Sequence, residues 1–175
     1  MATASRCGNL RSQELSWPRS VVTPESIKFC AHYSRPEIER LRAPVNAALI
    51  SICDPGADRP ALQTGEWAEI LDLQFHDINS PEPRDELWWQ SWAKDGYLVP
   101  SRENAASICQ FVRRNWARSI IVHCEMGLSR SAAVCEVLVR LGWAYQSTRA
   151  EGRRRANIRL IELLLLEFDE FGRPR

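Results

Sequence analysis

The sequence predicts an α/β fold: a central, mainly parallel sheet with helices on both faces. Strand-like apolar runs alternate with helix-like segments, as the crossover units of a parallel sheet require. Two of the runs, residues 47–53 and 120–122, are apolar almost throughout, as strands buried on both faces tend to be. The 175 residues, 45% of them hydrophobic, suffice for one full core. Sheets of this kind bind ligands at the carboxyl ends of their strands.

Residues 1–24 mix Arg, Ser, Trp17 and Pro18 without period and read as a tail or docked arm. Residues 25–175 are expected to form a single domain. Ser26 to Cys30 alternates as a strand does. Arg35-Pro36 opens a short helix through Leu41, with Pro early, where helix starts favour it. The strand at 47–53 ends at the turn Asp54-Pro55-Gly56. Residues 69–75 alternate again and run into His76-Asp77-Ile78; 79–83 must be irregular. The stretch Leu87-Trp88-Trp89-Gln90-Ser91-Trp92, with Tyr97 beyond it, reads either as aromatic packing under a long loop or as the wall of a binding site. Ser101 caps a helix whose Ala105, Ile108, Val112 and Trp116 share one face. After the strand at 120–122 and a tight loop, a largely apolar helix runs to Leu141 and stops at Gly142. Arg149, Arg153, Arg154 and Arg155 form a basic segment, either a solvated surface or an attractor of anions, and Asn157 begins a last helix through Phe168. The strand ends at Cys53, Asp77 and Cys124 are expected along one edge of the sheet.

The chemistry concentrates in His123-Cys124-Glu125-Met126-Gly127-Leu128-Ser129-Arg130-Ser131, between the buried strand and the buried helix. Amides at a helix start lack intrahelical partners and can converge on one anion. The residues Glu125, Met126, Gly127, Leu128, Ser129 and Arg130 would supply that phosphate-sized nest. A thiol at a helix N-terminus beside cations can ionise at a pKa of roughly 3.5–7.5, so Cys124 is expected to be a nucleophilic thiolate. The planar guanidinium of Arg130 can grip two phosphate oxygens at once, as Lys cannot. Ser131 can donate to the sulfur when it leaves, and His123 is expected to hold the loop rather than to titrate. A buried structural Cys leaves Gly127, Arg130 and Ser131 unexplained. A zinc site lacks a second Cys or His pair at ligand spacing.

On these residues, His-Cys, five residues, Arg, then Ser, the chain resembles the cysteine-dependent protein tyrosine and dual-specificity phosphatase superfamily, most of all its small bacterial members. The resemblance implies a dual-specificity-phosphatase-like fold, a phosphocysteine intermediate, and no metal or cofactor. It implies a general acid on a loop after an earlier strand. Asp77 is the choice, 47 residues before Cys124, with Glu82 and Asp85 as rivals and Asp54 and Asp58 on a different strand. The substrate implied is a phosphorylated protein or a small phosphomonoester. The absence of Lys in the loop argues against phosphoinositides. Other readings are an arsenate reductase, a rhodanese-like sulfurtransferase or a non-catalytic phospho-binding module. Arsenate-reducing low-molecular-weight enzymes place their loop after the first strand, unlike this chain.

A formal net charge of +1 gives no broad footprint for nucleic acid. No stretch suits a signal peptide or membrane span, and six Cys without framework spacing fit a reducing, cytoplasmic setting. Oligomeric state is not legible. Because Cys53 ends a strand expected beside that of Cys124, it reads either as a packed core thiol or as the partner of Cys124 in a peroxide-induced disulfide.

Overall fold

The computed structural model of the chain describes residues 27–63, 65–80, 82, 84–146 and 154–171. The expected tail at 1–24, and Arg149 and Arg153, lie outside the described residues. Five strands, β1 (Phe29–Ser34), β2 (Ala48–Cys53), β3 (Ile70–Gln74), β4 (Ile120–Cys124) and β5 (Ala144–Tyr145), form one sheet in the order β3-β2-β4-β1-β5. Every pairing is parallel. The central strands β2 and β4 are buried at every residue, which is why their sequences are continuously apolar rather than alternating.

Between the strands lie α1 (Arg35–Ile38), α2 (Glu86–Lys94), α3 (Arg102–Arg114) and α4 (Arg130–Arg140), and α5 (Ile158–Phe171) follows β5. Alternation along the strands sorts their side chains onto two faces. Ile50, Ile52, Val122 and Cys124 join the larger cluster, with residues of α3, α4 and α5. Leu49, Ile121 and Ala31 face the other way, onto Ile38 of α1 and the loop residues Leu62 and Trp67. The second face is therefore covered by one short helix and a loop, whereas α3, α4 and α5 share the first.

Most boundaries fall where the sequence puts them. Ser101 caps α3, accepting from the Asn104 amide at 3.3 Å while Asn104 Oδ1 accepts from the Ser101 amide at 3.0 Å. Gly142, at φ 104°, follows the C-cap of α4. Four elements differ from expectation, the first being α1, which ends at Ile38 rather than Leu41. The first strand runs Phe29–Ser34, later than the alternation suggests, because the polar His32 and Ser34 are buried inside it. The edge strand β5 is only two residues long, too short to leave a pattern. The Trp-rich stretch is a helix, α2, capped by Asp85, whose carboxylate accepts from the Trp88 amide at 2.9 Å. Its rings stack edge-on, Trp88 on Trp89 and Trp92, and Trp92 on Tyr97. Arg159 of α5 lies over Trp89, so the stretch packs as aromatic scaffold against the body.

Among the described residues, no helix is long and apolar enough to cross a membrane.

Candidate active site

The strand β4 delivers Cys124 to the carboxyl edge of the sheet, and α4 begins six residues later at Arg130. The turn between them is tight because it lies against the end of β1. Gly127 has φ 64°, and a Cβ there would stand 2.4 Å from the Ser34 nitrogen and 2.5 Å from the Tyr33 carbonyl carbon. Only glycine fits that position.

β1 and the first residue of α1 also hold the loop by hydrogen bonds. The Arg35 amide donates to Glu125 O at 3.1 Å, and His32 Nδ1 lies 2.9 Å from Gly127 O. The loop amides are left over. Among the described residues, no protein acceptor takes an N–H of residues 125–132, and the first bonded amide of the helix is that of Ala133, donating to Ser129 O at 2.9 Å. A run of free amides at a helix start is an anion nest.

Cys124 is 1% exposed, at the floor of the loop, with its Sγ 3.1 Å from Ser131 Oγ. Arg130 is buried at 2% exposure. Its Nη1 donates to Phe75 O at 2.6 Å and pairs with Asp54 Oδ1 at 2.7 Å. Its Nε is buried without a hydrogen-bond partner, 3.9 Å from Asp77 Oδ2. Asp77 lies just beyond β3. Its Oδ1 accepts from Ser129 Oγ at 2.7 Å and from Asn157 Nδ2 at 3.0 Å. Asn157, fully buried, also donates to Ile78 O at 2.9 Å, and its own Oδ1 caps α5 by accepting from the Leu160 amide at 3.0 Å. With its own amide donating to Ser129 O at 3.2 Å, this one residue joins the Asp77 segment, the loop and the last helix.

The structure brings Cys124, Arg130, Ser131, Ser129 and Asp77 together. It separates the rivals of Asp77: Asp85 caps α2, and Glu82 pairs with Arg84 at 3.7 Å. Asp54 is a residue that sequence reasoning set aside, being on another strand; parallel pairing brings that strand end to Arg130. His32 and Asn157 were missed altogether.

His123 is fully buried on the sheet face opposite Cys124, its Nε2 2.8 Å from Ser51 Oγ, and it ties the base of the loop to β2. Burial pulls its pKa down to about 4, so it is neutral across the ordinary pH range.

The expected partnership of Cys53 with Cys124 does not fit this register. Ser51 pairs with His123, so Ile52 lies level with Cys124, and Cys53 points to the opposite face. Cys53 lies 3.9 Å from Ser51 Oγ on that face, and burial pushes its thiol up. A disulfide cannot bridge side chains that diverge across a sheet without moving backbone. None of the five described Cys forms a disulfide.

A cleft of about 680 Å³ opens beside the loop, lined by Met126, Leu128 and Ser129 on one side, Asp77 on another, and the exposed Arg154 and Arg155. The Trp residues of α2 do not line it. Among the described residues, no group of three or more His, Cys, Asp or Glu is placed to hold a metal ion. Compared with protein-family models, curated proteins and solved structures, the chain matches none.

Proposed function

We propose that the protein is a phosphomonoester hydrolase of the cysteine-dependent, dual-specificity-like kind, working through a phosphocysteine. The observation that carries this reading is the set of free amides at 125–132 in the loop that joins Cys124 to α4, with Arg130 buried at the start of that helix. That combination suits a tetrahedral dianion held above a nucleophile.

In this mechanism the Cys124 thiolate attacks phosphorus, forming an S–P bond as the P–O bond to the leaving group breaks. Asp77 gives its proton to the leaving oxygen. Arg130 and the loop amides hold the three equatorial oxygens, whose charge the amides meet without reorganisation. Water then attacks the phosphocysteine, passing a proton to Asp77, and the S–P bond breaks with its electron pair returning to sulfur. Ser131 Oγ, 3.1 Å from Sγ, donates to that returning thiolate. Asp54, already on Arg130, fixes the guanidinium before substrate arrives. The cleft, basic at Arg154 and Arg155 and apolar at Met126 and Leu128, suits a phosphorylated protein segment better than a free sugar phosphate.

Release of phosphate from para-nitrophenyl phosphate, blocked by vanadate and lost in Cys124→Ser, tests the reading. Sulfur transfer from thiosulfate, or arsenate reduction, without phosphate release would replace it by one of the other cysteine chemistries.

A further inference from the structure

Beneath the loop, on the same sheet face as Cys30, lies a residue the mechanism above does not use. His32 is fully buried in β1, level with Val122 of β4. Both its ring nitrogens are engaged: Nδ1 at 2.9 Å from Gly127 O, and Nε2 at 2.8 Å from the hydroxyl of Tyr145. The two rings are stacked at 5.8 Å, 19° from parallel.

The hydrogen-bond partners decide the proton positions. A carbonyl oxygen can only accept, so Nδ1 carries the hydrogen and donates to Gly127 O. In the neutral ring, Nε2 then accepts from the Tyr145 hydroxyl. Tyr145 is one of the two residues of β5, and it thereby keeps His32 in the tautomer that can hold the loop.

We infer that His32, backed by Tyr145, is a positioning residue for the anion nest. It acts by fixing the Gly127–Leu128 peptide so that the Leu128 amide faces the bound oxyanion. The inference rests on the phosphate-binding reading of the loop. A trans peptide carries its C=O and N–H on opposite sides. Pulling Gly127 O down onto His32 therefore turns the Leu128 N–H up, away from β1. Glycine at φ 64° has no side chain to enforce this orientation, and the αL region is one of several that glycine enters freely. The neighbouring Glu125–Met126 peptide is held in the same way, by the Arg35 amide on Glu125 O. That clamp is backbone and comes with any sequence. The clamp on Gly127 is a side chain, and it can be removed.

The test measures the dissociation constant of inorganic phosphate by calorimetry for the full chain and its variants. His32→Leu keeps a buried apolar volume and removes the donor. It should weaken phosphate roughly tenfold to a hundredfold, the worth of one hydrogen bond to a charged group. His32→Asn carries an N–H near the position of Nδ1 and should recover most of the affinity. Tyr145→Phe should cost a few-fold in the wild-type background and nothing further in His32→Asn, where there is no tautomer left to set. A folded His32→Leu with wild-type phosphate affinity overturns the inference, as does a folded His32→Asn no better than Leu. If His32→Leu does not fold, the His32→Asn and Tyr145→Phe pair decides it: additive losses refute the relay. Should the wild type bind phosphate in a His32-dependent way yet hydrolyse nothing, the positioning role stands and the phosphatase reading falls. A wild type that does not bind phosphate refutes both.

Discussion

Gly127→Ala puts the loop geometry to its severest test. The new Cβ would stand 2.4 Å from Ser34 N, 2.5 Å from Tyr33 C and 2.8 Å from Tyr33 O. All three are backbone atoms of β1, where Tyr33 and Ser34 pair with His123 and Cys124 of β4, so β1 yields little. The loop must lift by about 1 Å to restore ordinary van der Waals contact. That shift stretches the bonds at Glu125 O and Gly127 O, now 3.1 and 2.9 Å, beyond useful length. Two such bonds contribute about 1 kcal/mol each. Holding alanine at φ 64° costs a further 1–2 kcal/mol, roughly. The total of about 3–4 kcal/mol corresponds to a loss of roughly 10²–10³ in phosphate affinity and in kcat/KM. The assay is para-nitrophenyl phosphate turnover with phosphate inhibition. Circular dichroism shows whether the fold survives, and Val45→Ala, at a 99% exposed position ahead of β2, serves as control. Turnover of the alanine variant within about threefold of wild type would refute the claim that β1 shapes the nest.

Asp77→Asn keeps an oxygen to accept from Ser129 and Asn157, so the loop should stay in place while the proton donor is lost. Turnover should fall roughly 10²–10⁴-fold on phosphotyrosine and much less on substrates whose leaving group needs no proton; if Asp54→Asn gives that pattern instead, the acid is Asp54. His123 supplies a pH dependence of stability. Its folded pKa of about 4 lies below the unfolded value of 6.5, so between those values the unfolded chain takes a proton that the folded one refuses. Stability should therefore fall as pH drops from 6.5 towards 4, by up to about 3 kcal/mol from this residue, and this contribution should level off below 4. Urea titrations from pH 7 to pH 4 should show a shallower fall for His123→Gln; equal slopes contradict the assignment.

The loop was legible because its parts are contiguous. Strand, nucleophile, glycine, arginine and helix occupy one short stretch, and local pattern alone orders them. Asp77 was legible one level up, since in a parallel sheet a residue just past a strand end lies at the ligand edge. What sequence reading missed depends on long-range pairing. His32 meets a carbonyl 95 residues away, and Asn157 meets Asp77 across 80. No local period marks either. Buried polar residues also displaced the reading of β1: His32 and Ser34 look unlike a buried strand until the loop above them is in place. The helix α2 did leave a signal. Asp85 is an N-cap residue by type, and Trp88 and Trp92 are one helical turn apart, but three Trp in five residues suit packing under a loop equally well. The Cys53 expectation failed on a one-residue register difference, which in a strand sends a side chain to the other face.

The central claim is that Cys124 becomes phosphorylated during turnover. On the proposed mechanism Asp77 takes a proton from water in the second step, so Asp77→Asn should slow that step too and accumulate the intermediate with para-nitrophenyl phosphate, which needs little help in the first. Rapid quenching in neutral denaturant, followed by peptide mapping, reads it directly. The account predicts phosphate on the peptide holding Cys124, attached to sulfur and absent in Cys124→Ser. Phosphate on another residue, or steady phosphate release with Cys124 unmodified throughout, would contradict it.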